Sequence, residues 1–299
     1  MTFLGNLHKS EMLVLSTGRW ENQAYMSKRT VFFVSDHSGV TAETLGHSLI
    51  TQFDASEFQK TTIPFVSTLD KAIQAVALIN ATASSDGYPP IVFSTLVQDD
   101  IRDVVRGSNA LFLDFFDSFL GPLERELGMT STHAMGVAHG MQDTQKYDRR
   151  IDATNFALVH DDGANPEGYE QADIILIGVS RSGKTPTCLY MALQYGVYAA
   201  NLPLIEEDLE GPRTPPEVAQ HRSKMYGLTI EPKRLEAIRA ERRHGSRYAS
   251  LTQVSYEVRQ AEALFERLGI PFVDTTNCSI EELASRVLNE TGVKRTGLA

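Results

Sequence analysis

Cysteine is almost absent from this chain: Cys188 and Cys278 are the only two among 299 residues. Two distant thiols form neither a disulfide framework nor a paired CxxC metal motif. That usage fits a reducing cytoplasm. Long apolar runs are also missing. The one apolar stretch near the N-terminus, Met12 to Leu15, is far shorter than a signal-peptide core or a membrane span, so a cytoplasmic protein without membrane contact is expected. Positive charge is in deficit, with a formal net charge of -10, which argues against nucleic acid as a partner. No G-x-S-x-G elbow is present to mark an α/β-hydrolase. His133 and His139 stand six apart, which matches no common zinc spacing. Internal repeats and low-complexity tracts are lacking as well. What is left is an ordinary globular chain, 42% hydrophobic and long enough for about two domains.

Against these absences one stretch stands out. Gly178-Val179-Ser180-Arg181-Ser182-Gly183-Lys184-Thr185 fits G-x-x-x-x-G-K-[ST] at every fixed position. A strand-like run, Asp173 to Ile177, feeds into it, and a helix-like segment, Thr187 to Tyr195, leaves it with Leu189, Ala192 and Leu193 on one face. This is the strand, loop and helix that a phosphate cradle requires. The backbone N–H groups and the helix N-terminus attract an anion, Lys184 adds a full charge, and the Thr185 hydroxyl is suited to Mg²⁺. All eight residues are nucleotide-binding candidates, with Lys184 also a catalytic one. A chance glycine-rich turn would not bring the Lys-Thr pair and both flanking elements.

The rest of the chain reads as α/β. From Thr30 strands and helices alternate: strand Val31 to Val34, helix Ala42 to Phe53, strand Thr62 to Val66, helix Leu69 to Ile79, strand Ile91 to Thr95, helix Asp99 to Arg106 and strand Ala110 to Phe115. Such alternation predicts a mostly parallel sheet covered by helices. The expected organisation is a loose N-terminal extension over 1–29, an N-terminal mostly parallel α/β domain over 30–150, and a linker and cleft segment over 151–171. A C-terminal P-loop kinase-like α/β domain follows over 172–292, with a tail over 293–299. In that second domain a stripe of Val254, Val258, Ala261, Phe265 and Leu268 marks a core-facing helix. Ser279 with Glu282 forms a capping box that opens the last helix.

Three polar features bear on chemistry. Ser35-Asp36-His37-Ser38-Gly39 follows the first strand, at the carboxyl edge where open α/β sheets bind ligands. It reads either as a polar binding loop or as an ordinary turn. His160-Asp161-Asp162-Gly163 precedes the P-loop by some twenty residues. Asp162, or Asp161, is placed to orient Mg²⁺ or to accept a hydroxyl proton, as phosphoryl transfer needs; the alternative is a solvated Asp-Gly turn. From His221 to Arg247 the chain carries five more positive than negative charges. This is either a solvated helix face or a phosphate- or partner-facing surface.

The run from Gly178 to Tyr190, with Ala199-Ala200-Asn201, resembles the regulatory proteins of phosphoenolpyruvate synthase and pyruvate, phosphate dikinase. So do Val34-Ser35-Asp36 with Gly39 to Glu43, Lys146-Tyr147-Asp148, His160 to Gly163, Tyr226 to Ile230, Ser246 to Ser250 and Ser279 to Glu282. The likeness spans roughly residues 30 to 290 and looks closer to the synthase branch. It implies a bifunctional enzyme that uses ADP to phosphorylate a threonine of the target, inactivating it, and removes that phosphate with inorganic phosphate, releasing pyrophosphate. ADP and phosphate are then the substrates, with Mg²⁺ at Thr185, and the target enzyme is the partner; a homodimer is compatible with it. Lys184 would meet the transferred phosphate, while Arg181 and Lys224 would meet charge on phosphate or on a phosphohistidine of the target. From the residues alone, two other readings stay open: a P-loop kinase of a small metabolite, and a nucleotide sensor without catalysis.

Overall fold

Six consecutive buried residues, Thr30 to Ser35, fill strand β1 (Arg29–Ser35) of the computed structural model. A strand buried on both faces belongs inside a parallel sheet covered by helices. The structure describes residues 29–53, 58–132, 144–210, 214–242 and 246–295. Most of the expected N-terminal extension, the His133 and His139 pair, and residues 296–299 of the expected tail lie outside them. The chain divides into two compact units, Met1–His139 and Gly140–Ala299.

In the first unit β1 is followed by α1 (Val40–Ile50), β2 (Phe58–Ile63), α2 (Leu69–Asp86), β3 (Ile91–Thr95), α3 (Asp99–Arg106), β4 (Leu111–Asp114) and α4 (Phe115–Leu127). The four strands are parallel in the order β2-β1-β3-β4. Ala42 and Ile50 of α1 join Val31, Phe33 and Phe93 on one face of the sheet. Ala72 and Ile79 of α2 and Ile101 and Val105 of α3 join Phe32, Val34 and Val92 on the other. The expected apolar stripe of α1 is only partly used: Leu45, Leu49 and Phe53 are exposed, and Ala42, Gly46 and Ile50 face inward. Gly46 decides this. A Cβ there would lie 2.5 Å from the Phe33 ring and 2.8 Å from that of Phe93, so the helix lies flat on the two rings through its smallest residue. Strand β2 both starts and ends earlier than expected, and the apolar Phe65 and Val66 lie in the loop after it.

The second unit runs α5 (Thr144–Val159), β5 (Ile174–Val179), α6 (Lys184–Tyr195), β6 (Ala199–Leu204), α7 (Glu206–Leu209), α8 (Pro216–His221), β7 (Met225–Thr229), α9 (Pro232–Arg242), α10 (Leu251–Leu268), β8 (Phe272–Asp274) and α11 (Ile280–Thr291). Its parallel sheet, β6-β5-β7-β8, repeats the order of the first. The 151–171 segment is not a linker. It holds most of α5 and two 3-10 turns, Asp161–Gly163 and Pro166–Gln171. Phe156 and Tyr169 enter one core cluster, and Ala153 and Ala157 another. So narrow an apolar stripe among polar neighbours is hard to read as a buried helix. The α10 stripe lies in the core as expected, the Ser279 and Glu282 box opens α11, and β8, which follows Pro271, is an edge strand. Among the described residues no helix is long and apolar enough to cross a membrane.

Candidate active site

All six residues of β5 are buried, which anchors the loop that follows. Gly178 leaves the strand where a Cβ would come within 2.3 Å of the Leu228 carbonyl oxygen, so only glycine fits between β5 and β7. Gly183 sits at φ 92°, in the left-handed region that glycine enters freely, and turns the chain into α6. No side chain caps that helix, which leaves its first N–H groups for a ligand. Arg181 holds φ 76° without being glycine, a local strain of about 1–3 kcal/mol of the kind found at ligand sites. The Ser182 hydroxyl is buried with no partner among the described residues. An unsatisfied donor in a cradle of N–H groups suits a phosphate oxygen.

Lys184 opens α6 with only 4% of its surface exposed. Its ammonium donates to the carbonyls of Gly178 at 3.0 Å and Val179 at 2.9 Å, which uses two of its three protons. Burial pushes its pKa down to about 8, with the charges of Asp162 and Asp161 opposing that shift. The Thr185 hydroxyl donates to Asp161 Oδ1 at 2.8 Å. Asn201 Nδ2 donates to the same carboxylate oxygen, and its Oδ1 accepts from the Asp162 amide at 3.1 Å. Asp162 lines a cleft of about 260 Å³ with Ser180, Arg181, Gly183, Lys184, Thr185 and Pro186. Ligand pockets run from about 300 to 1,000 Å³, so this one suits phosphate groups more than a whole nucleotide. The structure therefore brings the expected P-loop, Asp161 and Asp162 together on one side of a single sheet.

Residues 31–288 match the family model described as kinase/pyrophosphorylase. The chain belongs to that family. Its relatives include a protein of Alkalilimnicola ehrlichii, 52% identical over 269 residues, which cover 90% of this chain and 98% of the relative. A protein of Halorhodospira halophila is 54% identical over 268 residues, 89% of this chain and 98% of its own. One from Pseudomonas putida is 50% identical over 268 residues, 90% and 98% respectively. All three carry, provisionally, the name phosphoenolpyruvate synthase regulatory protein.

Within this family member, Lys224 is not at the cradle. It immediately precedes β7, whose Met225 pairs with Ile175 at the start of β5, while the P-loop leaves the far end of β5. At about 3.3 Å per residue that is roughly 16 Å away. Lys224 donates instead to the Glu170 carbonyl at 2.6 Å and lines a separate cavity of about 640 Å³ with Asp173, Arg222 and Glu290. The basic run after His221 is likewise no single surface. Arg222 and Lys224 face that cavity, Arg247 pairs with Glu206, and Arg239 turns inward.

Arg239 and Asn201 were not legible as site residues. Arg239 is fully buried beneath the P-loop, donating to the Ser180 carbonyl from Nη2 at 3.0 Å and to the Tyr248 carbonyl from Nη1 at 3.0 Å. Its guanidinium also pairs with Glu257 at 2.7 Å and lies 4.2 Å over the Tyr248 ring. The Tyr248 and Ser180 hydroxyls meet at 2.9 Å. His160, by contrast, is structural: its Nδ1 lies 2.8 Å from the Phe156 carbonyl and its ring stacks on Phe156.

The depressed Lys184 pKa has a testable sign. Its folded value of about 8 lies below the ordinary lysine value of 10.5, so between those values the unfolded chain binds the extra proton and stability rises with pH. Comparing the parent with Lys184→Met in denaturant titrations isolates this group from the buried tyrosines. The parent is expected to gain on the variant by about 1.4 kcal/mol per pH unit from pH 8 to 10. A pH-independent difference would show that Lys184 titrates normally.

Proposed function

We propose that this protein regulates a phosphoenolpyruvate synthase by placing a phosphoryl group on one of its threonines, with ADP as donor, and removing it with inorganic phosphate. The convergence of Lys184, Thr185, Asp161 and Asp162 on one phosphate-sized cleft carries this reading. The family description supports the pairing of the two reactions, and the relatives' name supports the target.

The contacts of Asp161 and Asp162 support giving different roles to two carboxylates that the sequence left interchangeable. Asp161 already bonds Thr185 and Asn201, so Thr185 and Asp161 are the hard oxygen donors that would hold Mg²⁺, which neutralises charge on the phosphate oxygens when bound. Asp162 lines the cleft and is the proton acceptor. In the forward step the target threonine oxygen attacks the β-phosphorus of ADP, its proton passes to Asp162, and AMP leaves. In the reverse step an oxygen of inorganic phosphate attacks the phosphothreonine phosphorus. The threonine oxygen leaves with a proton from Asp162, and pyrophosphate forms. Lys184, the α6 N-terminus and the loop amides hold the same phosphate charge in both directions, which is most of what phosphoryl transfer asks of a protein.

The test incubates the protein with purified phosphoenolpyruvate synthase, phosphoenolpyruvate and either ADP or ATP, and follows the target by mass spectrometry. One added phosphoryl group with ADP, removed by phosphate with release of pyrophosphate, is the expected result. Turnover of nucleotide without the protein target would replace this reading by a metabolite kinase. Within it, Asp162→Asn is expected to lower kcat in both directions by about 10²–10⁴-fold with ADP affinity nearly unchanged. An unaltered kcat would remove Asp162 as the base.

A further inference from the structure

We propose that Asn201 is a positioning residue for phosphoryl transfer, the strut that sets Asp161 and Asp162 in their different places beside the P-loop. Its kinetic consequence rests on the phosphoryl-transfer reading given above; its geometry does not. An amide in the middle of a buried strand is costly unless both its ends find partners. Asn201 is the third residue of β6, 1% exposed, and pairs in register with Leu176 of the fully buried β5. Side chains alternate across a strand, so it shares a face with Ala199, on the side of the core that Ala153 and Ala157 of α5 and Cys188 and Met191 of α6 cover. Asp161 comes two residues after α5, and Thr185 is the second residue of α6. The hydrogen bonds of Asn201 go to the place where these two helix ends meet.

Four hydrogen bonds tie this one residue to the segment between α5 and β5. Its main-chain N–H donates to the His160 carbonyl at 3.2 Å, and its own carbonyl accepts from the Tyr169 hydroxyl at 3.2 Å. Its side chain reaches the two acidic residues: Nδ2 donates to Asp161 Oδ1, and Oδ1 accepts from the Asp162 N–H at 3.1 Å. Asn carries a donor and an acceptor side by side on one rigid plane. The amide cannot be turned over here, because the Asp162 N–H needs an acceptor and the Asp161 carboxylate needs a donor. Asp161 Oδ1 thereby receives two donors, Asn201 Nδ2 and the Thr185 hydroxyl. Asp162 stands at φ 49°, ψ 38°, a left-handed backbone that a non-glycine residue keeps only where its surroundings fix it. The Asn201 side chain on its N–H does so. One amide thus holds the first carboxylate by its oxygen and the second by its backbone, at the turn that brings Asp162 to the cleft wall.

Asn201 is not among the described residues that line the cleft, so it acts through the two carboxylates and not on a ligand. Its one approach to the cradle is Nδ2 at 3.4 Å from the Thr185 hydroxyl, and Lys184 is held separately by the Gly178 and Val179 carbonyls. Phosphate binding therefore does not run through it. A merely structural amide would support the strand, and its loss would lower stability and ligand binding together. A positioning amide has another signature: the cradle keeps its ligand while transfer slows, because misplacing a reacting group by about 1 Å costs about 10²-fold.

Two variants of the full chain separate the two side-chain bonds. Asn201→Leu removes both at similar volume. Asn201→Asp is isosteric and keeps an acceptor for the Asp162 N–H, but sets an oxygen against Asp161. Parent and variants are compared by hydrogen exchange at the Asp162 amide, by orthophosphate titration followed at the Gly183 and Lys184 amide resonances, and by transfer from ADP to phosphoenolpyruvate synthase and back. The Asp162 amide is expected to be protected in the parent and in Asn201→Asp and to exchange freely in Asn201→Leu. Both variants should bind orthophosphate as the parent does and keep its KM for ADP, with kcat lowered about 10²-fold in both directions. If Asn201→Leu does not fold, the isosteric variant carries the phosphate and kcat readouts. Retained protection in a folded Asn201→Leu chain, or parent-like kcat in either folded variant, would overturn the proposal. So would phosphate affinity and kcat falling in step, the mark of a structural role. A parent that transfers nothing to the synthase overturns the functional reading instead, and the exchange result still decides whether Asn201 sets the turn.

Discussion

Lys184→Ala is expected to reduce phosphoryl transfer in both directions by about 10³–10⁵-fold, the range that a single cation on the transferring group supplies in related chemistry. The ammonium is held by the Gly178 and Val179 carbonyls on the inner side of the loop, and its third proton remains for the ligand. Water is excluded there, so a charge acts at low dielectric and costs no reorganisation when the phosphate arrives. Alanine removes that charge and also two donors that fix the loop. Binding of ADP should weaken in parallel with that of phosphate, because the proposed function gives both ligands one cradle. For the same reason the parent protein should show competition between ADP and phosphate. Circular dichroism and the thermal midpoint check that the fold persists. Full activity in a folded variant, or non-competitive behaviour of the two ligands in the parent, would remove Lys184 and the shared cradle from the mechanism.

The P-loop was legible because its chemistry is fixed by backbone geometry: glycine where β7 approaches, glycine at a left-handed position, lysine at the first helical residue. Each leaves a letter at a fixed spacing. The alternation that gave the first sheet was legible for a similar reason, since doubly covered strands such as β1 and β3 are continuous apolar runs. What failed to show were features made by packing between distant segments. Strand β7 contains Gly227, which reads as a weak strand residue, yet a Cβ there would meet Phe265 and Phe272 within 2.8 Å. Asn201 looks like a stray amide in an apolar strand until β6 lies beside β5 and its side chain reaches Asp161 and Asp162. Lys224 carried the right charge for the site but enters β7 at the wrong edge of the sheet. Charge can be counted along a chain; which end of a parallel strand it occupies depends on register.

Arg239→Met is expected to destabilise the protein by about 3–5 kcal/mol, the cost of removing one partner from a buried ion pair. Glu257 has a side chain only 13% exposed, so without the guanidinium its charge stays in a poor solvent with Gln253 as a remaining donor. The Ser180 and Tyr248 carbonyls lose donors at the same time, and the Tyr248 ring loses its cation. Two further variants separate the electrostatic cause from lost packing. Arg239→Met with Glu257→Gln should recover part of the loss, because the orphaned charge is gone. Arg239→Lys should stay well below the parent, because a point charge does not reproduce a planar fork that reaches two carbonyls and a carboxylate. The functional consequence follows from the Ser180 contact. Arg239 holds the Ser180 carbonyl of the P-loop without lining the cleft, so a folded variant should lose ligand affinity as well as stability. Urea titration with and without saturating ADP measures both: the parent should gain more from ADP than the Arg239→Lys chain. A cost below about 1 kcal/mol, in the range of exposed pairs, would mean that water reaches Glu257 once the arginine is gone. Equal gains from ADP would mean that the loop keeps its shape without the guanidinium.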